Sequence, residues 1–411
     1  MKPLADTTRV MRELQTLATF SSHPAPAVTR VVFSDDDRRA RQYLRSLYES
    51  AGLSVRVDAI GNTFARWHGS EPQAGAVATG SHTDAIPNAG MYDGTVGVLG
   101  GLEAIRALKS SGFQPRRSIE VIMFTSEEPT RFAIGCSGSR ALAGSLAEPD
   151  FQRLVDADGQ TYDHVRQAAG FSGALATLAL PRDAYHAFVE LHIEQGPRLE
   201  RAAIAIGIVT AIAAPATLDV TIEGEGGHAG GVMMVDRKDA FTAAAEMALT
   251  LEQLARTASS DTVATCGLIK IEPGAVNSIP YRASLTLDIR DIDGQRRDRL
   301  IIAFQSEATT IAQRRGVGIK FNLRNADPPA TCDPMVVDAV RKACIAAKTE
   351  SMDLASRAYH DSLFMARVAP MGMIFIPCRG GVSHRPDEYA SPEHIARGIE
   401  VLAHTLATLA T

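Results

Sequence analysis

A predominantly apolar run at residues 118–125, SIEVIMFT, is the feature that most constrains how this chain folds. A short run of this kind, bounded by polar residues, is typical of a strand buried within a sheet. Further apolar runs at 75–80 and 187–192 alternate with helical patterns at 28–52 and 96–108. This alternation predicts the α/β class, with a central, mostly parallel or mixed sheet flanked by helices.

The pattern changes near Ala211. Beyond it, strands with alternating polar and apolar residues accompany one long helical segment at 237–257, an order typical of an α+β domain. After about Asp327 the chain returns to helix, buried strand and helix. We therefore predict a larger domain that is interrupted by an inserted domain. The predicted boundaries are 1–210 and 328–411 for the larger domain and 211–327 for the insert.

Charge and cysteine content narrow the partners and the compartment. The formal net charge is -5 and no long basic run occurs, so nucleic acid and anionic membrane surfaces are disfavoured as partners. No apolar stretch is long enough to span a membrane, and the N-terminus lacks the pattern of a signal peptide. The five cysteines show no CxxC spacing, which favours reduced thiols in a cytoplasmic protein.

Polar side chains follow several of the predicted strands. His82 and the pair Glu127 and Glu128 come directly after apolar runs, at the strand ends where ligands gather in α/β sheets. Asp84 shares a face with His82 in an extended segment, so its carboxylate is expected to hold the imidazole. Adjacent carboxylates repel unless a cation or a proton intervenes. Taken singly, the alternative for each is a structural histidine or a solvated acidic pair.

The combination of these groups points to metal. Asp93, in an Asp-Gly pair before a helix, is by itself a turn residue, and His192 and His384 are each by themselves structural. Together they give three histidines and several carboxylates beyond strand ends of one layer. Nitrogen and oxygen ligands without thiolate suit manganese, zinc, cobalt or nickel. Two such ions sharing a carboxylate would activate water near neutral pH.

Eight short motifs make the pattern specific. They are GSHTD (80–84), YDG (92–94), SEE (126–128), HIEQGP (192–197), GHAG (227–230), NSIP (277–280), DIR (288–290) and SH (383–384). With these motifs in this order, the chain resembles the di-metal amidases of the hydantoinase/carbamoylase branch of the aminoacylase/carboxypeptidase-like superfamily. The resemblance implies that the larger domain is catalytic and that the insert is a lid and dimerisation domain of a homodimer.

The resemblance also implies a role for each matching residue. The implied metal ligands, for two divalent ions with manganese as first choice and zinc, cobalt or nickel as alternatives, are His82, Asp93 as the bridge, Glu128, His192 and His384. The implied catalytic groups are Glu127 as general base, with Asp84 behind His82, and His228 from the insert, often that of the partner subunit. The implied substrate-binding residues are Gln195, Asn277, Arg290, Tyr359 and His360.

The residues themselves leave two of these roles open. The segment 226–231, GGHAGG, is also compatible with a flexible turn, in which His228 has no function. Arg290 offers a planar fork for a substrate carboxylate, but it is equally suited to an ion pair with Asp288, Asp291 or Asp293.

Three stretches indicate the substrate. SEEPTRF (126–132), HAGGVMM (228–234) and SRAYHDS (356–362) resemble ureidoglycolate amidohydrolases, which act on a small ureido carboxylate in purine catabolism. The implied reaction cleaves the ureido C–N bond, releases ammonia and carbon dioxide and yields glyoxylate. Tyr359 stands where general carbamoylases carry glycine, and it either reads the substrate hydroxyl or only packs. The alternatives are an N-carbamoyl-L-amino acid hydrolase, an allantoate amidohydrolase, a di-metal peptidase or deacylase, and a binding protein without metal.

Overall fold

The computed structural model describes residues 3–411, which form two compact units. The first comprises the described residues up to Thr210 together with Thr331–Thr411, and the second is Ala211–Ala330. Residues 328–330, assigned above to the larger domain, thus belong to the second unit. The end of the insert was predicted from the next helical pattern, and no local sequence pattern before that helix marks the boundary.

The helices and strands follow one another in mixed order. In the first unit up to the insert they are α1 (Thr7–Ala18), β1 (Val28–Arg30), α2 (Asp35–Ser50), β2 (Ser54–Val57), β3 (Thr63–Trp67), β4 (Val77–His82), β5 (Ala85–Ala89), α3 (Thr95–Ser110), β6 (Ile119–Phe124), α4 (Ser137–Leu142), α5 (Glu148–Arg153), α6 (Tyr162–Ala168), β7 (Ala187–Ile193), α7 (Arg198–Ala202) and β8 (Ile206–Ile212). The insert contributes β9 (Ala214–Glu223), β10 (Gly227–His228), α8 (Ala240–Ala258), β11 (Val263–Glu272), β12 (Ser278–Ile279), β13 (Arg282–Asp291), α9 (Gly294–Arg315) and β14 (Gly318–Ala326). Strand β15 (Ala330–Thr331) spans the boundary at which the chain returns to the first unit. The chain then closes with α10 (Pro334–Ala346), β16 (Ser351–Ser356), α11 (Ser362–Met365), β17 (Met371–Ile376) and α12 (Pro392–Leu409).

The first unit is built around a nine-stranded mixed sheet of order β15-β8-β17-β7-β4-β6-β3-β2, with β16 also pairing with β8. The four central strands, β17, β7, β4 and β6, are parallel to one another. Each is buried along its whole length, which explains why their sequences are apolar almost throughout. Because these strands are parallel, their carboxyl ends meet at one edge of the sheet.

Helix α3 packs unusually close to this sheet. A Cβ atom on Gly97 would lie 2.4 Å from the backbone oxygen of Leu191, so no other residue fits there without moving the helix away from β7. Helices α3 and α12 and strands β4 and β7 share one apolar core. This tight packing fixes the start of α3, and with it Asp93, against the strand ends.

The second unit has its own core. Strands β11, β13, β9 and β14, in that order, form an antiparallel sheet on which α8 and α9 pack. Residues on β9 and β13 alternate between buried and partly exposed, as the alternating sequence predicts. The predicted α/β class with an α+β insert is confirmed. Among residues 3–411, no helix combines the length and the apolar character needed to cross a membrane.

Candidate metal centre

The site lies at the carboxyl edge of the four parallel strands. β4 ends at His82, β7 carries His192 near its end, and β6 leads directly into Glu127 and Glu128. The loop after β17 carries His384. The neighbouring positions of these strands in the sheet bring together side chains that are far apart in sequence.

Asp93 is at the centre of this group. Its Oδ1 lies 3.4 Å from Nε2 of His82 and 3.2 Å from Nε2 of His192. Its Oδ2 lies 3.2 Å from Nε2 of His384, and the same nitrogen is 3.3 Å from Oε1 of Glu128. The other four side chains named as ligands from the sequence therefore surround the carboxylate of Asp93, and each of its oxygens faces a different set of partners.

Backbone carbonyl groups outside the cluster orient two of the imidazoles. Nδ1 of His82 lies 3.0 Å from the backbone oxygen of Asp84, and Nδ1 of His192 lies 2.9 Å from the backbone oxygen of Ile193. A carbonyl accepts only from a protonated nitrogen, so Nδ1 carries a proton in both rings and Nε2 is the nitrogen that faces the site.

The carboxylate of Asp84 has a different contact from the one the sequence suggested. It lies 3.8 Å from Nδ1 of His82 and accepts hydrogen bonds from the backbone N–H groups of Glu127, at 3.2 Å, and Glu128, at 2.9 Å. It is the backbone oxygen of Asp84 that holds the imidazole. The alternation of side chains along a strand predicted that His82 and Asp84 share a face. It does not reveal the hydrogen bonds from the turn after β6, because that turn is 43 residues away in the chain.

These residues fit divalent metal ions. Two groups of ligand atoms, each within 4.8 Å of one another, share Asp93: one with His82 and His192, the other with Glu128 and His384. All the donors are nitrogen or oxygen. Hydrogen bonds to Asp93 and Glu128 raise the pKa of His384 to about 11, so the two carboxylates favour positive charge at this position.

The backbone around the cluster leaves space for the ligands, but several residues there adopt conformations with positive φ that are unfavourable for most amino acids. Gly94 has φ +65°, and a Cβ atom there would lie 2.5 Å from Nε2 of His82. Three larger residues beside the ligands, Ser126, Gln195 and His384 itself, also have positive φ, between 54° and 58°. Strained conformations of this kind concentrate at functional sites, where the surrounding structure imposes them.

Glu127 is placed differently from Glu128. Its Oε2 lies 3.8 Å from Nε2 of His82, and its Oε1 accepts a hydrogen bond from Sγ of Cys136 at 3.5 Å. Burial raises the pKa of Glu127 well above its usual value; the imidazole of His82 opposes this rise, whereas the negative charge of Glu128 adds to it. A buried carboxyl group with a raised pKa is suited to take up and release a proton.

A second set of contacts fixes Asp93 from outside the cluster. Nε2 of Gln195 donates to its Oδ2 at 2.7 Å, and Oγ of Ser383 lies 3.0 Å from the same oxygen. Glu388 accepts hydrogen bonds from the backbone N–H groups of Tyr92, at 2.9 Å, and Asp93, at 3.1 Å, and contacts Ser383 at 2.8 Å. Sequence reasoning missed Glu388, although an acidic residue four positions after a candidate ligand was a usable signal.

Sequence reasoning also missed two buried carboxyl groups next to the cluster. Glu190 accepts hydrogen bonds from Oγ of Ser81 at 2.6 Å and Oγ of Ser362 at 2.5 Å. Asp361 accepts from Oγ of Ser139 at 2.5 Å, and burial raises the pKa of Asp361 to about 8. An acidic residue two positions before His192 in an apolar strand was the available signal for Glu190, because such residues share a face.

Besides Gln195, two further predicted substrate-binding residues lie beside the cluster, in the same unit. The ring of His360 lies 4.5 Å from that of His192, and its Nε2 is 3.0 Å from Oγ of Ser356. The hydroxyl of Tyr359 accepts a hydrogen bond from the guanidinium of Arg140. The phenol is therefore held by a cation, which a purely packing role does not require.

The remaining predicted residues belong to the second unit. His228 lies in β10 and Asn277 precedes β12, and the backbone N–H of Ala229 donates to the backbone oxygen of Asn277 at 2.9 Å. Arg290 lies on β13, where its Nε and Nη2 donate to the carboxylate of Asp288 at 2.7 and 3.1 Å. The ion pair considered as an alternative for Arg290 is thus present.

Comparison with known proteins agrees with this chemistry. The chain is 53% identical to a ureidoglycolate hydrolase of Oryza sativa subsp. japonica, over 98% of this chain and 85% of that protein. It is 38% identical to an N-carbamoyl-L-amino acid amidohydrolase of Geobacillus stearothermophilus, over 98% of both. The crystal structures of AtUAH in complex with glyoxylate and with (S)-hydroxyglycine each match at TM-score 0.90 and 50% identity, covering 99% of this chain and 98% of the other.

These relatives are hydrolases of carbon–nitrogen bonds, and the chain is a hydrolase of the same kind. The family model of Peptidase family M20/M25/M40 matches residues 78–408, which include the five residues that converge at Asp93. The chain belongs to the Peptidase family M20/M25/M40.

Proposed function

We propose that this protein is a ureidoglycolate amidohydrolase that uses two divalent metal ions, manganese in the first place. The observation that carries the proposal is the position of Asp93, whose two oxygens face His82 and His192 on one side and His384 on the other. The 53% identity to a ureidoglycolate hydrolase along nearly the whole chain supports the choice of substrate.

The residues that would hold the ions follow from this arrangement. His82 and His192 with Asp93 would hold one ion, and Glu128 and His384 with Asp93 the other. When bound, the two ions would polarise the ureido carbonyl and lower the pKa of a water molecule.

Glu127 then has the role of moving protons. Its carboxylate would accept a proton from the attacking water and deliver one to the departing nitrogen, because ammonia leaves far more readily than amide anion. The hydrogen bonds from the turn backbone to Asp84 hold Glu127 and Glu128 in fixed relative positions. One of the pair is thereby free to carry a proton while the other faces His384.

The proposed reaction begins at the ureido carbon. Water adds to the ureido carbon, the bond to the terminal nitrogen breaks, and ammonia leaves. The resulting carbamate loses carbon dioxide and gives hydroxyglycine, which releases a second ammonia to form glyoxylate. Both of these late products are found with AtUAH, to which this chain is 50% identical.

The roles of the substrate-binding residues also belong to the proposal. Asn277 and Arg290 would hold the carboxylate, with Asp288 keeping the guanidinium in its plane. His228 would donate to the developing oxyanion, a contact worth about 3–4 kcal/mol in comparable sites. Gln195, Tyr359 and His360 would line the pocket beside the metal ions. These assignments rest on the motifs that carry the residues.

The assembly and compartment are part of the same proposal. We infer a homodimer formed through the insert, since β11 and β14 are the edge strands of its sheet. The five cysteines are all free thiols, which favours a cytoplasmic enzyme of purine catabolism.

One experiment tests the function. The purified chain is stripped of metal and reconstituted with manganese, zinc, cobalt or nickel, and ammonia release is compared for ureidoglycolate, N-carbamoyl-L-amino acids and allantoate. We expect ureidoglycolate with manganese to be the best pair. A preference for N-carbamoyl-methionine or N-carbamoyl-phenylalanine would replace the proposal with the carbamoylase function of the Geobacillus relative.

A further inference from the structure

A cavity of about 650 Å³ lies in the first unit beside the metal centre. Its wall includes Ala18 at the end of α1, Val28 of β1, and the segment Met91 and Tyr92 that leads into Asp93. None of the five proposed metal ligands lines it. The walls are mainly apolar, and a volume of this size is within the usual range of small-molecule sites.

Two tyrosines and an arginine give this cavity a specific character. The rings of Tyr92 and Tyr389 meet edge to face, with centroids 6.0 Å apart. The guanidinium of Arg379 lies 4.8 Å from the centroid of the Tyr389 ring. A guanidinium that packs on an aromatic ring can still use N–H groups in its own plane to bind a carboxylate, and here Nη2 also donates to the backbone oxygen of Asp387 at 3.3 Å.

Arg379 has no carboxylate within ion-pair distance in the described part of the chain, although two acidic residues line the same cavity. The carboxylate of Asp387 is paired with Arg385 at 2.7 Å. Glu388 directs both of its oxygens to other partners: one accepts from the Tyr92 and Asp93 backbone, and the other contacts Ser383. His23 also lines the cavity. Arg379 is therefore a cation at this cavity without a carboxylate partner among the described residues.

We propose that this cavity is a second binding site, separate from the metal centre, for a small planar aromatic carboxylate. The aromatic part fits against Tyr92, Met91 and Ala18, and the carboxylate pairs with Arg379. A neutral aromatic compound would lose this pairing, and an aliphatic anion would lose the contacts with the two rings.

Occupation of the site is coupled to the metal centre through two residues. Tyr92 and Glu388 form part of the cavity wall, and Glu388 accepts hydrogen bonds from the backbone N–H groups of Tyr92 and Asp93. A ligand packed against them holds Asp93 in its position and so strengthens metal binding. By linkage, metal strengthens ligand binding by the same factor. This second step rests on the proposed function, whereas binding in the cavity does not.

The first test uses the full chain without metal and 2-naphthoate as the probe, measured by isothermal titration calorimetry. We expect saturable binding that Arg379→Gln weakens about tenfold or more, because a charged hydrogen bond is lost. The matched control Arg45→Gln removes an exposed arginine on α2 and leaves the affinity unchanged. The neutral analogue 2-naphthamide should bind at least tenfold more weakly. Equal affinity of Arg379→Gln and the unaltered chain, or of the two probes, overturns the proposal.

A second variant tests the location. Ala18→Phe fills the cavity and should abolish 2-naphthoate binding while circular dichroism and the melting temperature show a folded protein. Retention of full affinity would place the ligand elsewhere and overturn the proposal.

The coupling is measured by titrating manganese with and without 2-naphthoate, following the heat of metal binding rather than turnover. We expect an increase of about fivefold or more in apparent metal affinity. An unchanged manganese affinity overturns the coupling. If manganese does not bind at all, the proposed function fails, whereas 2-naphthoate binding to the metal-free chain still decides the cavity proposal.

Discussion

The sheets of the two units differ in where their polar side chains and their exposed apolar side chains lie. In the first unit β4, β6 and β7 are buried throughout, and their parallel carboxyl ends carry the polar side chains. In the second unit β9 and β13 alternate, and the edge strand β11 exposes Leu268 and Ile269 by 56% and 48%. The parallel sheet thus concentrates polar side chains at one edge, whereas the antiparallel sheet exposes apolar side chains on an edge strand.

The largest expected effect is a loss of catalysis at the site in the first unit without a loss of metal binding. Glu127→Gln should lower kcat by about 10²–10⁴-fold, because an amide cannot move a proton. Metal content, measured by atomic emission after gel filtration, should stay at the level of the unaltered chain. The matched variant Glu128→Gln should lose metal first. Equal metal loss in the two variants would contradict the different roles of these neighbours.

The next effect concerns the residues that hold Asp93. Glu388→Gln removes the negative charge that faces the backbone N–H groups of Tyr92 and Asp93 and replaces the carboxylate oxygen beside Ser383 by an NH2 group, so the backbone at Asp93 loses part of its support. We expect manganese affinity to fall about 10–100-fold, as is usual for residues that position metal ligands. Asp387→Asn, next in sequence and paired only with exposed Arg385, is the control and should leave affinity unchanged. A normal affinity for Glu388→Gln would limit its role to stability.

A smaller effect should separate substrates. Tyr359→Phe removes only the hydroxyl that accepts from Arg140. We expect kcat/KM for ureidoglycolate to fall about tenfold, since a hydrogen bond to a charged group is lost near the site. Activity on N-carbamoyl-L-amino acids, which lack the substrate hydroxyl, should change less. A parallel fall for both substrates would show that Tyr359 only supports the fold.

The smallest effect on the chemistry is expected from the second unit. Leu268→Lys places a charge on the exposed part of β11 and should shift a homodimer toward monomer by about tenfold in dissociation constant. Analytical ultracentrifugation measures the shift, and Ile302→Lys on α9, 65% exposed, is the control. Metal content should remain unchanged in both. A monomer that stays fully active on dilution would refute both the homodimer and the action of His228 from the partner subunit.

Much of this arrangement was predictable because strand ends are local signals. Apolar runs located β4, β6 and β7, and polar residues after such runs pointed to His82, Glu127 and His192. Parallel strands then required these side chains to meet. The Asp-Gly pair before α3 was also recognised, because two neighbouring residues are enough to indicate a turn.

The rest depends on contacts that no local pattern shows. Glu388 reaches the backbone of Tyr92 across 296 positions in the chain, and Asp84 reaches the Glu128 backbone across 44. A buried carboxyl group such as Asp361 has the same sequence signature as a surface one. Such residues become visible only when the sheet order is known, since that order decides which distant loops are neighbours.

The position of β17 in the sheet has a consequence for how the protein is made. β17 lies between β7 and β8, although it is synthesised after the whole insert. Until it arrives, a growing chain has two unpaired strand edges facing each other and lacks His384. Because chains emerge from the ribosome N-terminus first, the other strands of the sheet are synthesised before the strand that fills the gap between β7 and β8. A chain that ends before β17 would leave these edges unpaired, and unpaired strand edges are templates for aggregation.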